Sequence, residues 1–118
     1  MNESIKEFFD GSEGEFITAK EAKLKQDQFL AKSKKEGVED PYRAEFFGRE
    51  LLLSLLKKPD AVGIRIYHGL DEENEPRLIL TAVNKEKKNI VMDLTALKDM
   101  PEGDGDFGAN GPRCPLSC

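Results

Sequence analysis

Val62-Gly-Ile-Arg-Ile-Tyr-His-Gly69 and, beyond the acidic stretch Asp71–Pro76, Arg77-Leu-Ile-Leu-Thr-Ala-Val-Asn84 decide the fold of this 118-residue chain. The first segment alternates, with Ile64 and Ile66 on one side and Arg65 and Tyr67 on the other, the pattern of a half-buried strand. The second carries Leu78, Leu80 and Ala82 on one side and Ile79 and Val83 on the other, so both faces are apolar and a central position is expected. Asn84–Asn89 (Asn-Lys-Glu-Lys-Lys-Asn) reads as a polar hairpin loop, and Asn89–Leu94 as a third strand. Short connections between successive strands favour an antiparallel meander of three to four strands. Register follows from the alternation, because a one-residue slip would turn Ile64 and Ile66 outward.

Two helices are expected to pack on one face of this sheet, giving an α+β fold. The nearer one runs from Arg49 to about Lys57, between Gly48 and Pro59, which forbids continuation. Leu51, Leu52, Leu55 and Leu56 form its apolar face and Leu53 falls off it. Glu50 at its start and Lys57–Lys58 at its end both complement the helix dipole. Further upstream, Thr18 with Glu21 three residues later forms a capping-box pattern. A helix is predicted from Ala19 to about Glu36, with Gly37 as its terminator. Its apolar arc (Ala19, Ala22, Phe29, Leu30) is thin, which suits a helix at the edge of a domain. The chain therefore divides into an N-terminal segment, 1–17, expected to be mobile or one helical turn; an α+β domain, 18–97; and an acidic Gly/Pro-rich tail, 98–118. The tail is expected to be irregular and ends in Cys-Pro-Leu-Ser-Cys.

A chain of this length fits one domain and buries roughly two-thirds of its unfolded surface without help from a cofactor. The net charge is −5, from 18 basic and 23 acidic residues. A polyanion would need a local basic patch, and the lysines of Lys20–Lys35 point several ways around a helix instead of forming a stripe. Neither a nucleic-acid partner nor a membrane is expected, since no apolar run approaches the roughly 20 residues needed to span a bilayer. The N-terminal residues lack the basic-then-apolar order of a signal peptide. The cytoplasm is the default compartment, with export by a signal-less route left open.

Cys114 and Cys118 are the only cysteines, separated by three residues that include Pro115. Three readings stand side by side: residues that pin the tail, a tail disulfide or modification site, and half of a metal site. Two thiolates cannot complete a tetrahedral zinc shell, the two-residue spacing of redox dithiols is absent, and no helix is predicted to start there to acidify a thiol. His68, the single histidine, falls at a strand end and reads as structural, with no Ser-His-Asp spacing around it. Asp104, Asp106 and Asn110 hint at calcium, but Gly108 stands at an alternate ligand position and no distal Glu follows. No catalytic, cofactor-binding or metal-binding residues are assigned. Leu53, Arg65 and Tyr67 are the candidate interface residues.

Three stretches together resemble a family of small uncharacterised bacterial proteins: Phe47-Gly-Arg-Glu-Leu-Leu, Val62-Gly-Ile-Arg-Ile-Tyr-His-Gly-Leu-Asp, and the terminal Gly-Pro-Arg-Cys-Pro-Leu-Ser-Cys. That family carries a Gly-(Leu/Ile)-Arg-Ile-Tyr strand, a second strand rich in Leu and Val, and a glycine-containing tail closing in Cys-Pro-Pro-x-Cys. The likeness spans about Thr18 to Cys118. Leu116 departs from it where a second proline is usual, and Ala61 where a cysteine often precedes Val-Gly. The resemblance implies a fold and a distinctive terminus, but no reaction.

A non-enzymatic interaction or self-assembly protein is the expected function, with a functional cysteine tail and a homo-oligomer or protein partner. An open sheet edge beside an apolar helix motivates it. The alternatives are a tail that is itself the substrate of a modifying or transporting partner, and a thiol or redox enzyme using Cys114 and Cys118.

Overall fold

The computed structural model describes residues 5–91 and 105–118, and the chain divides into two compact units. One holds the described residues up to Glu13 together with Phe47–Asn110; the other holds Gly14–Phe46 and Gly111–Cys118. Helices α1 (Ala19–Lys35) and α2 (Arg49–Leu56) and strands β1 (Ala44–Glu45), β2 (Ala61–Leu70), β3 (Pro76–Asn84), β4 (Phe107–Gly108) and β5 (Arg113–Cys114) make an α+β protein with antiparallel sheets.

In the first unit the sheet order is β2-β3-β4, so β3 is central as its two apolar faces require. Cross-strand pairs set Ile64 against Ala82 and Ile66 against Leu80, with an irregularity between Ala61 and Gly63. Leu55 of α2 closes on Leu80 and Ala82, and Phe47, Leu52, Ile64, Leu78 and Ile90 pack around them. Burying a leucine this completely contributes about 1.5–3 kcal/mol. On the opposite face of β3, Thr81 and Val83 are buried as well.

Two hairpin loops solve one geometric problem in the same way. Asp71 Oδ1 accepts from the N–H groups of Glu73 and Glu75, and Asn84 Oδ1 accepts from those of Glu86 and Lys88. Each side chain mimics a backbone acceptor and holds the turn shut. Three residues on, Asn74 and Lys87 take left-handed backbone conformations, φ +66° and +70°.

The alternation predicts a third strand over Asn89–Leu94, and the structure describes only its first three residues. Of Asn89–Leu94, Asn89 forms a single bridge to Val83, Ile90 N–H donates to the Ala82 carbonyl at 2.9 Å, and residues 92–94 lie outside the described residues. Further along the same border of β3, the stretch expected to be irregular supplies a strand: Gly108 pairs with Leu80 and Phe107 with Thr81. Small size and a paired charge make this possible. A Cβ at Gly108 would come within 2.7 Å of Leu51 Cδ2, so the glycine lets β4 run beneath α2. Asp106, only 7% exposed, is ion-paired to Lys58, and its carbonyl accepts from Thr81 Oγ1 at 3.1 Å.

A second difference concerns Ile66. It shares strand parity with Ile64, yet it is 56% exposed, and Leu70 is 66% exposed. Length explains this. Eight helical residues cover about 12 Å, whereas the ten residues of β2 extend about 33 Å. Helix α2 reaches Ile64 and stops short of the outer half of the strand.

In the second unit α1 is capped as the sequence requires. Thr18 Oγ1 accepts from Glu21 N–H at 3.1 Å, and Gly37 follows the last turn at φ +91°. The helix buries none of its residues, and Leu24 and Phe29 are at least half exposed. Strands β1 and β5 form a two-residue antiparallel ribbon, Ala44 opposite Cys114 and Glu45 opposite Arg113. No described helix is long and apolar enough to cross a membrane.

Candidate functional site

Two regions concentrate polar or reactive groups. The first is the outer half of β2. Arg65 and Tyr67 project from the face opposite α2, by the two-residue period of a strand. The loop after β3 returns Asn89 to them. Arg65 Nη1 donates to Asn89 Oδ1 at 2.7 Å, Arg65 Nη2 to the Lys87 carbonyl at 3.2 Å, and Asn89 Nδ2 to Tyr67 Oη at 2.9 Å. These donors hold the Tyr67 phenol below its ordinary ionisation range, the Asn89 amide foremost and the Arg65 guanidinium next. Asn89 was not singled out from sequence; its place at the foot of a hairpin loop was the only available signal.

The free edge of β2 follows from the register. Pro76 has no N–H and faces Leu70, so that pair is not hydrogen-bonded across the ladder. Antiparallel pairing alternates, so the backbone groups of Ile64, Ile66, His68 and Leu70 point away from β3. Among the described residues no strand meets them. His68, opposite Leu78, is exposed on this edge. Leu53 stands apart from Arg65 and Tyr67: it is 42% exposed on α2, which packs over the other face of the sheet.

The chain ahead of α1 also reaches this sheet. Phe9 N–H donates to the Lys85 carbonyl at 2.8 Å, and Lys87 Nζ lies 5.8 Å from the centre of the Phe9 ring. Glu13 accepts from Lys6 Nζ at 2.8 Å and from the N–H groups of Asp10 and Gly11. The Ser12 hydroxyl, more than any other group, draws the Asp10 carboxyl down to about 2.

The second region is the C-terminal clip. Cys114 and Cys118 form a disulfide with Cα atoms 4.9 Å apart, a span that suits such a bond. Backbone bonds anchor its base: Arg43 N–H to the Cys114 carbonyl at 3.3 Å, Phe46 N–H to Pro112 at 2.7 Å, and Ser117 N–H to Arg113 at 2.7 Å. Glu45 Oε2 accepts from Gly111 N–H at 2.9 Å. Gly111 is obligatory here, because a Cβ would collide with the Phe46 carbonyl oxygen. The Arg113 guanidinium stacks 3.7 Å over the Tyr42 ring, a cation–π contact. Arg43 Nη2 lies 3.8 Å from Cys118 Sγ. A recess of about 430 Å3, lined by Ala44, Glu45, Phe46, Pro112, Ser117 and both cysteines, opens beside the disulfide. Pro115 is half-buried between them in the chain and Leu116 is exposed.

Of the residues weighed for calcium, Asp106 is committed to Lys58, Asn110 has a left-handed backbone, and Asp104 lies outside the described residues. No group of three His, Cys, Asp or Glu side chains among the described residues is arranged to hold a metal ion. Compared with protein-family models, curated proteins and solved structures, the chain matches none.

Proposed function

We propose that this is a non-enzymatic interaction protein that assembles with a second copy of itself through β2, with the cysteine clip as a separate functional terminus. One observation carries the reading: a ten-residue edge strand whose outer half displays Ile66, Tyr67 and Leu70 to solvent. Unpaired backbone groups and exposed apolar side chains on one edge are a template for strand addition. A two-fold axis through Ile66 suits this strand well. It sets each Ile66 against its symmetry mate and Arg65 of each copy opposite Tyr67 of the other, with the free backbone groups in hydrogen-bonding positions. Isologous pairing of this kind is the commonest route to a homodimer.

Analytical ultracentrifugation over a hundredfold concentration range, in oxidising and in reducing buffer, tests the reading. A concentration-dependent dimer is expected, and Ile66→Lys should leave a folded monomer, since opposed like charges at the centre of the ladder repel. A wild-type chain that stays monomeric throughout overturns it.

A further inference from the structure

The two sulfurs of the clip are chemically unequal. Cys118 is exposed, with its Sγ 3.8 Å from the Arg43 guanidinium; Cys114 is half-buried in the β1–β5 ribbon. Exchange begins with a thiolate attacking one sulfur of a disulfide, and the sulfur that forms the more acidic thiol leaves faster. A guanidinium stabilises a neighbouring thiolate. Arg43 therefore marks Cys118 as the leaving sulfur and Cys114 as the one attacked. The recess beside the bond is lined by both cysteines and by Ala44, Glu45, Phe46, Pro112 and Ser117; it gives a small thiol a largely apolar place to sit, and the choice of sulfur falls to Arg43.

We propose that the Cys114–Cys118 disulfide is a thiol-exchange site for small monothiols. The incoming thiolate attacks Cys114 Sγ and forms a mixed disulfide there. The Cys114–Cys118 bond breaks, and its electron pair leaves on Cys118 as a thiolate beside Arg43. The incoming sulfur is oxidised and the Cys118 sulfur is reduced, so electrons balance. Two exits follow. Cys118 attacks Cys114 Sγ, expels the monothiol and restores the clip. Alternatively, a second monothiol attacks the adduct's own sulfur, departs as a symmetric disulfide and leaves Cys114 to take a proton from water.

The test treats the oxidised full chain with limiting 2-mercaptoethanol, quenches in acid, alkylates the freed thiols and locates both masses by tandem mass spectrometry. The 2-mercaptoethanol adduct is expected on Cys114 and the alkyl group on Cys118. The preference should be about threefold or more, the ratio that one pKa unit gives at a Brønsted slope near 0.5. Arg43→Met should bring the ratio to about one, and Arg43→Lys should restore it. In the reduced wild-type chain, Cys118 should alkylate with a half-ionisation pH below that of Cys114, a readout that needs no variant. Equal or reversed adducts, an Arg43→Met ratio equal to wild type, matching alkylation profiles, or two free thiols in the air-prepared protein would each overturn the proposal. None of these readouts depends on whether the chain dimerises.

Discussion

The sheet unit and the helix-and-clip unit of this protein are held together by different physics. In the first, Leu55, Leu80 and Ala82 vanish from solvent and carry the structure by burial. In the second, a 17-residue helix buries nothing and the ribbon beside it is two residues long. Its order comes from local devices: an N-cap, a terminal glycine, a stacked Arg113–Tyr42 pair, a close backbone approach at Gly111 and a disulfide. Burial is non-directional and tolerates approximate shapes, whereas local devices fail one at a time. The two units should therefore respond differently to substitution.

Leu80→Ala attacks the first kind of order and should have the largest effect. It empties the centre of the sheet core and is expected to cost about 3 kcal/mol, read as a lowered urea midpoint at unchanged slope. Gly111→Ala attacks the second kind. The collision with the Phe46 carbonyl forces backbone to shift and should cost about 2 kcal/mol, read as faster hydrogen exchange at the Phe46 and Arg43 amides. Thr18→Ala removes a single capping bond and should cost about 1 kcal/mol. Because α1 has no core to hold it, that loss should show directly as reduced helical circular dichroism. Equal sensitivity of α1 and β3 amides to Leu80→Ala would erase the contrast between the units.

The smallest effect uses the single tyrosine on the sheet, Tyr67. Its phenol is held low chiefly by the Asn89 amide. An acid with a depressed pKa ionises earlier as pH rises, so Asn89→Ala should move its tyrosinate absorbance step to higher pH. An unchanged titration would mean the Arg65–Asn89–Tyr67 cluster does not persist in solution.

Much of the sheet unit was legible because its elements are periodic. The leucine face of α2 and the alternations of β2 and β3 each repeat often enough to assign a side. Strand β4 was not legible, since two residues contain no period, and Gly108 reads as a loop former until Leu51 is seen beside it. Ile66 shows a subtler limit. Parity assigns a face, but exposure depends on how far the covering helix extends, and that depends on helix and strand lengths together. At the clip, the cysteine pair was visible, while Arg43, which makes the sulfurs unequal, lies 75 residues from Cys118 and carried no signal of its own.

The position of β4 in the chain has a consequence for biosynthesis. Its residues, Phe107–Gly108, follow the end of β3 only after a long intervening segment. A nascent chain can close the β2–β3 hairpin as soon as Asn84 leaves the ribosome, while the lower half of β3's other border stays open until much later. During that interval Leu80, whose backbone groups point away from β2, offers them unpaired to any neighbouring polypeptide, the situation in which polysomes invite misassembly. The passage from emergence of Asn84 to emergence of Phe107 is thus the stage at which this sheet is most open to a wrong partner.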